Sequence, residues 1–115
     1  MSEILIKHVV IDFDIEGYHQ YPNAPTAVEF LKYPHRHIFQ IRMGFEVEDS
    51  DREIEIFLMT DIVKTYISEE FGVPAEFGNM SCEHIAEKLL KKFNASWCEV
   101  FEDGKGGAKV EMLRY

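Results

Sequence analysis

The sequence has little of what marks membrane, nucleic-acid-binding or disulfide-stabilised proteins. It contains no run of about 18 apolar residues, the length that a membrane-spanning helix needs. Its 12 basic residues are outnumbered by 21 acidic ones, for a net charge of -9, and they form no patch that would attract a polyanion. The two cysteines, Cys82 and Cys98, form no CxxC motif, and the first residues lack the apolar stretch of a secretory signal. We therefore expect a cytoplasmic protein that binds neither nucleic acid nor membranes.

The chain does have enough apolar material for one packed domain. Of its 115 residues, 46% are hydrophobic and 13% are aromatic, and there are no internal repeats, low-complexity tracts or linkers. These features predict a single domain over residues 1–115. A chain of this length is short for an enzyme that builds its pocket alone, so we expect it to form oligomers.

Three strands are predicted in the first half of the chain. Residues 4 to about 14 are rich in Ile, Val and Phe, as in a strand with little exposed surface. A polar, proline-containing loop follows over residues 17–34, and loops of that length in compact domains are usually functional or disordered. His35–Val47 alternates strictly, with the odd-numbered positions mainly apolar. After a turn at residues 48–51, residues 52–58 alternate again, which predicts a β-hairpin.

Two helices and two further strands are predicted in the second half. Thr60 is a candidate cap for a first helix and Ser81 for a second, and each is followed by apolar residues at helical spacing. Trp97–Glu102 and residues 109–114 then alternate as strands, joined by a glycine-rich turn at residues 103–107. The predicted class is therefore α+β, in the order βββααββ, with an antiparallel sheet of four to five strands and two helices on one face.

Three histidines form the candidate metal site. His35 and His37 lie two apart on a predicted strand, so both rings leave the same face and can reach one ion. Such pairs are also common as hydrogen-bonded structural residues, so a third ligand is needed. His19 is the candidate, because pairing of the first two strands could bring its ring beside the other two.

The histidines and two later segments resemble the 6-pyruvoyl-tetrahydropterin synthase-like, or T-fold, family. The segments IEGYHQYPN and KYPHRHIFQIRM are similar to the family's zinc-binding strands, with fifteen residues between His19 and His35 and with Arg36 in place of a middle glycine. NMSCEHIAEKLL resembles the opening of the family's second helix, and WCEVFEDGKGG resembles its closing strand. The resemblance implies zinc at the three histidines. It also implies subunits joined edge to edge into a barrel, as a trimer or a hexamer, with pockets between them.

Glu102, Ser81 and Cys82 are the candidate ligand-binding residues. Glu102 shares the parity of Cys98 and Val100, so its carboxylate should point towards the apolar side of the sheet, where it must find donors. The resemblance implies that it grips a pterin or purine-like heterocycle and that Ser81 and Cys82 lie near the ring. A solvated acid in a turn remains an alternative for Glu102, and simple helix capping remains one for the other two.

Parts of the family's catalytic machinery are missing from this chain. Residues 20–34 contain no cysteine, and residues 69–79 contain no histidine for the family's Asp-His pair. His8 and His84 are poor substitutes, and we interpret both as structural. The resemblance thus leaves two functions open, a zinc-dependent carbon-oxygen lyase acting on a pterin such as dihydroneopterin triphosphate, and a binding protein without turnover. An oligomeric scaffold with no ligand is the third possibility.

Overall fold

A computed structural model describes residues 3–113 of the chain. Among these residues, no helix combines the length and the apolar character needed to cross a bilayer. The fold is α+β and contains five strands, one 3-10 helix and two α-helices. In chain order these are β1 (Lys7–His19), the 3-10 helix (Thr26–Lys32), β2 (His35–Val47), α1 (Ile56–Phe71), β3 (Ala75–Glu76), α2 (Cys82–Phe93), β4 (Trp97–Glu102) and β5 (Gly106–Glu111).

The five strands form one sheet in the order β3-β1-β2-β4-β5. The pairs β1–β2, β2–β4 and β4–β5 are antiparallel. The two-residue strand β3 runs parallel to the end of β1, so the sheet is mixed and the expectation of a purely antiparallel sheet was wrong. Strand β2 returns the chain to the start of β1, where Val47 pairs with Lys7. The segment that contains α1 then carries the chain to the end of β1, where Ala75 pairs with Gly17 in the parallel direction.

The long strands β1 and β2 divide their side chains cleanly between two faces. Odd-numbered residues point inward, and Phe39, Ile41 and Met43 are fully buried, whereas even-numbered residues such as Asp12 and Arg42 are exposed. Buried residues of α1 and α2, including Val63 from the first helix, belong to the same core cluster as the odd-numbered strand residues. Both helices therefore pack on one face of the sheet, as predicted.

The predicted strand at residues 52–58 does not form. Helix α1 begins within this segment, and Glu55 caps it by accepting hydrogen bonds from backbone N–H groups of the first turn. The alternation of Ile56 and Leu58 was misleading because neither side chain is buried, at 52% and 66% exposure. Thr60, the predicted cap, instead lies inside the helix and donates to the carbonyl of Ile56. The expected β-hairpin and the βββααββ order were wrong on this point.

Other boundaries differ by a few residues. β1 begins later than predicted and continues through Gly17 to His19, which shortens the following loop to residues 20–34. β3 was not predicted, and β5 begins at Gly106 within the expected turn. The predicted end of that last strand, Arg114, lies outside the described residues. Ser81 caps α2 as predicted, by accepting a hydrogen bond from His84 N at 3.1 Å.

A close contact on the outer face of the sheet explains the glycine in the middle of β2. Gly44 pairs directly with Trp97 of β4, and a Cβ atom at Gly44 would lie 2.1 Å from Trp97 Nε1. The absence of a side chain lets the indole lie against the strand, where Arg42 and Lys109 sit 5.9 and 5.1 Å from its ring centre. Gly44 is therefore required by packing and not by backbone conformation.

Replacing Gly44 by Ala is expected to lower the free energy of unfolding by about 1 to 3 kcal/mol, because the indole must move. Gly106→Ala is the control, since a Cβ there meets nothing within 4 Å, and its effect should stay within about 0.5 kcal/mol. Denaturant unfolding measures both. In a Trp97→Ala background the penalty at Gly44 should largely disappear. Equal effects at the two glycines, or a penalty that persists without the indole, would contradict this packing role.

Candidate metal and ligand site

The structure brings the three candidate histidines together where β1 ends and β2 begins. His19 pairs directly with His35 across the two strands, and His37 lies two residues further along β2 on the same inward face. One ring nitrogen from each histidine lies within 4.8 Å of the others. The centre of the His19 ring lies 4.6 Å from that of the His35 ring and 5.2 Å from that of the His37 ring. Strand register alone thus assembles the cluster.

Each histidine ring is oriented through its Nδ1 atom. The Nδ1 of His19 lies 2.9 Å from the carbonyl oxygen of Met80, and that of His35 lies 2.9 Å from the carbonyl oxygen of Tyr33. These oxygens can only accept, so both Nδ1 atoms carry the proton and donate it. The proton on Nδ1 leaves each Nε2 with a free lone pair, which is the arrangement that metal-binding histidines usually have.

Asp103 orients the His37 ring through its Nδ1 atom, and the sequence pattern gave Asp103 no functional role. Its Oδ2 lies 2.7 Å from Nδ1 of His37, and its Oδ1 accepts from Ile38 N at 2.8 Å. The hydrogen bond from the Ile38 N–H group is the main cause that holds the pKa of Asp103 below its usual value, and the hydrogen bond from His37 is the second. The acceptor is therefore a carboxylate. Asp103 lies in the tight turn between β4 and β5, with a φ of 51°. The Asp-Gly turn was visible in the sequence, but its proximity to His37 depends on the β2–β4 pairing.

The Nε2 atoms of His19 and His37 are buried and make no hydrogen bond within the described residues. Burial is the main cause that lowers the pKa of His19, which keeps its ring neutral near pH 7 and its Nε2 available as a ligand. Buried nitrogens without a hydrogen-bond partner are costly, so they indicate that something else binds there. Three imidazoles whose ring nitrogens converge in this way fit a divalent transition metal.

The carboxylate of Glu102 faces the histidine cluster. Glu102 ends β4 opposite Phe39, and its parity with the buried residues of β4 directs it inward, as predicted. Its Oε1 lies 3.0 Å from Nε2 of His19, and its Oε2 lies 3.6 Å from Nε2 of His37. The carboxylate is therefore neither a solvated turn acid nor remote from the candidate metal site.

A pocket of about 580 Å³ adjoins the cluster, within the size range of small-molecule sites. It is lined by His19 and His35 on one side and by all three candidate ligand-binding residues, Ser81, Cys82 and Glu102. Ser81 also caps α2, so the capping role and the pocket position hold together. The structure thus places the candidate ligand-binding residues around one cavity next to the three histidines.

Two further walls of the pocket were not predicted. The loop of residues 20–34 contributes Tyr21 and Leu31, joined by a backbone hydrogen bond from Tyr21 N to Leu31 O at 2.7 Å. His84, interpreted from the sequence as structural, is exposed and lines the pocket, whereas His8 is exposed on the opposite face of the sheet.

Arg36 points away from the histidine cluster and pairs with Glu16, so it does not crowd the histidines that flank it.

Cys82 is a hydrogen-bond donor to Glu102. Its Sγ is buried and lies 3.4 Å from Oε1 of Glu102. Burial, with a further contribution from Glu102, raises the pKa of the Cys82 thiol to about 12. The group is therefore a thiol near pH 7 and not the thiolate that a nucleophile or a metal ligand requires.

Native Cys82 and Cys98 are expected to react slowly with a thiol reagent at pH 7.5. Burial also raises the pKa of Cys98 to about 12, so both thiolate fractions are far below that of a free cysteine, whose pKa is about 8.5. Absorbance with a chromogenic disulfide reagent measures the rate, with Cys82→Ser and Cys98→Ser assigning each thiol. Both should react at once in denaturant. Rapid labelling of Cys82 in the folded protein would contradict the thiol assignment.

Comparison with known proteins assigns no family to this arrangement. None of the protein-family models matches the chain, and no curated protein matches it. The interpretation of the site therefore depends on the geometry of the three histidines, Glu102 and the adjoining pocket.

Proposed function

We propose that the chain is a T-fold protein of the tetrahydropterin synthase type, which holds zinc at His19, His35 and His37 and binds a pterin or purine-like heterocycle in the adjoining pocket. The observation that carries this proposal is the set of three imidazoles whose Nδ1 atoms are all engaged by oxygen acceptors. One ring nitrogen from each of the three lies within 4.8 Å of the others.

The donor set supports zinc as the metal. Zinc favours imidazole nitrogens, and its catalytic sites commonly have three protein ligands. The carbonyl and carboxylate partners of the three Nδ1 atoms supply the outer contacts that metal-binding histidines almost always have. When bound, the metal would polarise a hydroxyl or carbonyl oxygen of a ligand in the pocket.

The pocket supports a planar heterocycle as the ligand. Pterin and guanine rings present two parallel N–H groups on a 2-amino-4-oxo edge, and one carboxylate can accept both. Glu102 is the carboxylate that borders both the pocket and the histidines. A heterocycle held there would turn its 2-amino-4-oxo edge towards the metal, because Glu102 also contacts two of the histidines.

A second candidate is a binding protein that does not turn its ligand over. It is favoured by the state of Cys82, the one cysteine at the pocket among the described residues, whose raised pKa leaves it protonated. Residues 20–34 contain no cysteine that could replace it. His84 and Glu83 line the pocket but are exposed, so no group there resembles the tuned acid-base pair of an efficient enzyme.

Oligomerisation into a barrel is part of the same proposal. Within the described residues, β1 pairs on its outer side with β3 only at Gly17 and Tyr18, and β5 has no strand on its outer side. Two free edges on one sheet can pair between subunits and so bury backbone groups that would otherwise be exposed. Closure by three subunits, with two such rings stacked, is the arrangement we propose.

His35→Ala is expected to abolish stoichiometric zinc binding while leaving the fold intact, because His35 lies at a strand end outside the main core. His84→Ala is the matched control, since His84 lines the same pocket but lies outside the cluster. Elemental analysis after dialysis measures zinc per chain, and circular dichroism reports folding. Wild-type protein without a transition metal after loading, or a His35→Ala variant with full metal content, would refute the metal assignment.

Glu102→Gln is expected to weaken binding of pterin or guanosine monophosphate to the zinc-loaded protein by about 1.5 to 3 kcal/mol, because an amide replaces a charged double acceptor. Glu83→Gln, which removes an exposed acid at the same pocket, should change binding little. Calorimetry measures both.

Turnover of dihydroneopterin triphosphate should stay well below about 1 per second, because each missing acid-base group typically contributes about 100- to 10,000-fold. If neither pterin nor guanosine monophosphate binds, both the lyase and the binding-protein proposals are refuted.

A further inference from the structure

The position of Glu102 implies a role beyond holding a heterocycle. Its Oε1 lies 3.0 Å from Nε2 of His19, yet that nitrogen makes no hydrogen bond, so the two atoms are close without hydrogen-bond geometry. We propose that Glu102 is a fourth ligand of the metal held by the three histidines and closes the resting centre. This inference rests on the proposed metal site, and it concerns which of the chain's own residues complete that site.

The distances agree with shared coordination. Zinc lies about 2.0 to 2.1 Å from nitrogen and about 2.0 to 2.2 Å from oxygen ligands, so a nitrogen and an oxygen at adjacent corners of a tetrahedron would be separated by roughly 3.3 to 3.5 Å. The two separations of Glu102 oxygens from histidine Nε2 atoms, 3.0 Å to His19 and 3.6 Å to His37, lie on either side of this value. An ion in contact with both nitrogens is therefore within reach of the carboxylate.

The charge of Glu102 also points to a cation. Its side chain is only 33% exposed, and in residues 3–113 no Lys or Arg forms an ion pair with it. Its close polar partners are His19, His37 and the thiol of Cys82. A thiol is a weak donor and none of these partners carries a fixed positive charge, whereas a divalent metal would compensate the carboxylate directly.

The outer contacts complete the pattern of a four-ligand site. Metal-binding histidines and carboxylates are usually held by partners of their own. Glu102 has such a partner in Cys82, whose Sγ lies 3.4 Å from Oε1. Each of the four proposed ligands thus has one outer partner, namely Met80 for His19, Tyr33 for His35, Asp103 for His37 and Cys82 for Glu102.

A closed resting centre has a consequence for ligand binding. The oxygens of Glu102 that face the histidines are the same acceptors that a 2-amino-4-oxo ring requires. A heterocycle that engages this carboxylate would therefore compete with the metal for it. Ligand binding and the release of Glu102 from the metal would therefore be coupled.

Cobalt substitution and zinc affinity test this role on the full chain. Visible d–d bands of the Co²⁺-loaded protein report coordination number, and competition with a chromophoric chelator gives the zinc dissociation constant. Glu102→Gln should weaken zinc binding by more than the roughly 10- to 100-fold typical of losing an outer partner. Glu99→Gln is the matched control, because Glu99 is on the same strand but faces the opposite side, where it pairs with Arg42.

Azide supplies a test on the wild-type protein alone, which stands even if a variant fails to fold. The cobalt spectrum of wild-type protein should change little with azide, because Glu102 fills the fourth position, and pterin should make it azide-sensitive. In Glu102→Gln the spectrum should respond to azide without pterin. Wild-type cobalt protein that responds to azide by itself, or zinc affinity equal in both proteins, would overturn the fourth-ligand role and leave the three-histidine site standing. Wild-type protein that takes up neither metal would instead overturn the proposed metal centre, and this inference with it.

Discussion

The pairing register of β1 with β2 is the constraint on which the rest of the structure depends. It places His19 opposite His35 and aligns every inward residue of one strand with an inward residue of the other. A slip of β2 by one residue would send His35 and His37 to the outer face, away from His19, and turn Arg36 and Arg42 into the core. The apolar surface buried at the middle of these strands therefore also holds the histidines together at their end.

Two consecutive acids act on opposite sides of one histidine. Asp103 orients His37 through Nδ1, while Glu102 approaches its Nε2. This is possible because Glu102 is the last residue of β4, whereas Asp103 already belongs to the tight turn and its backbone has left the strand conformation. A change of backbone direction over one residue thus allows neighbouring carboxylates to face the two nitrogens of one imidazole ring.

The pocket brings together oriented imidazoles, a carboxylate and a protonated thiol. His19 and His35 are held through their Nδ1 atoms, burial raises the pKa of the Cys82 thiol to about 12, and His84 is exposed. Efficient acid-base catalysis needs groups whose pKa lies near the working pH and whose position is held by neighbours. In the oligomer proposed above, a second subunit would pair at the edges of β1 and β5, where the described residues leave strand positions without a neighbour.

The sequence alone was sufficient for the features that depend on local periodicity and capping. Strict alternation predicted β2 and β4 at their observed bounds, Ser81 caps α2 as expected, and two histidines of equal parity had to share a face. Alternation failed at residues 52–58, because a side-chain pattern does not reveal whether a core lies beside it and the capping carboxylate of Glu55 favoured a helix. Only the tertiary structure decided where Glu102 and Asp103 lie, since their contacts join residues more than sixty positions apart through strand pairing. Pairing partners are chosen by the burial of the whole sheet, and no local segment contains that information.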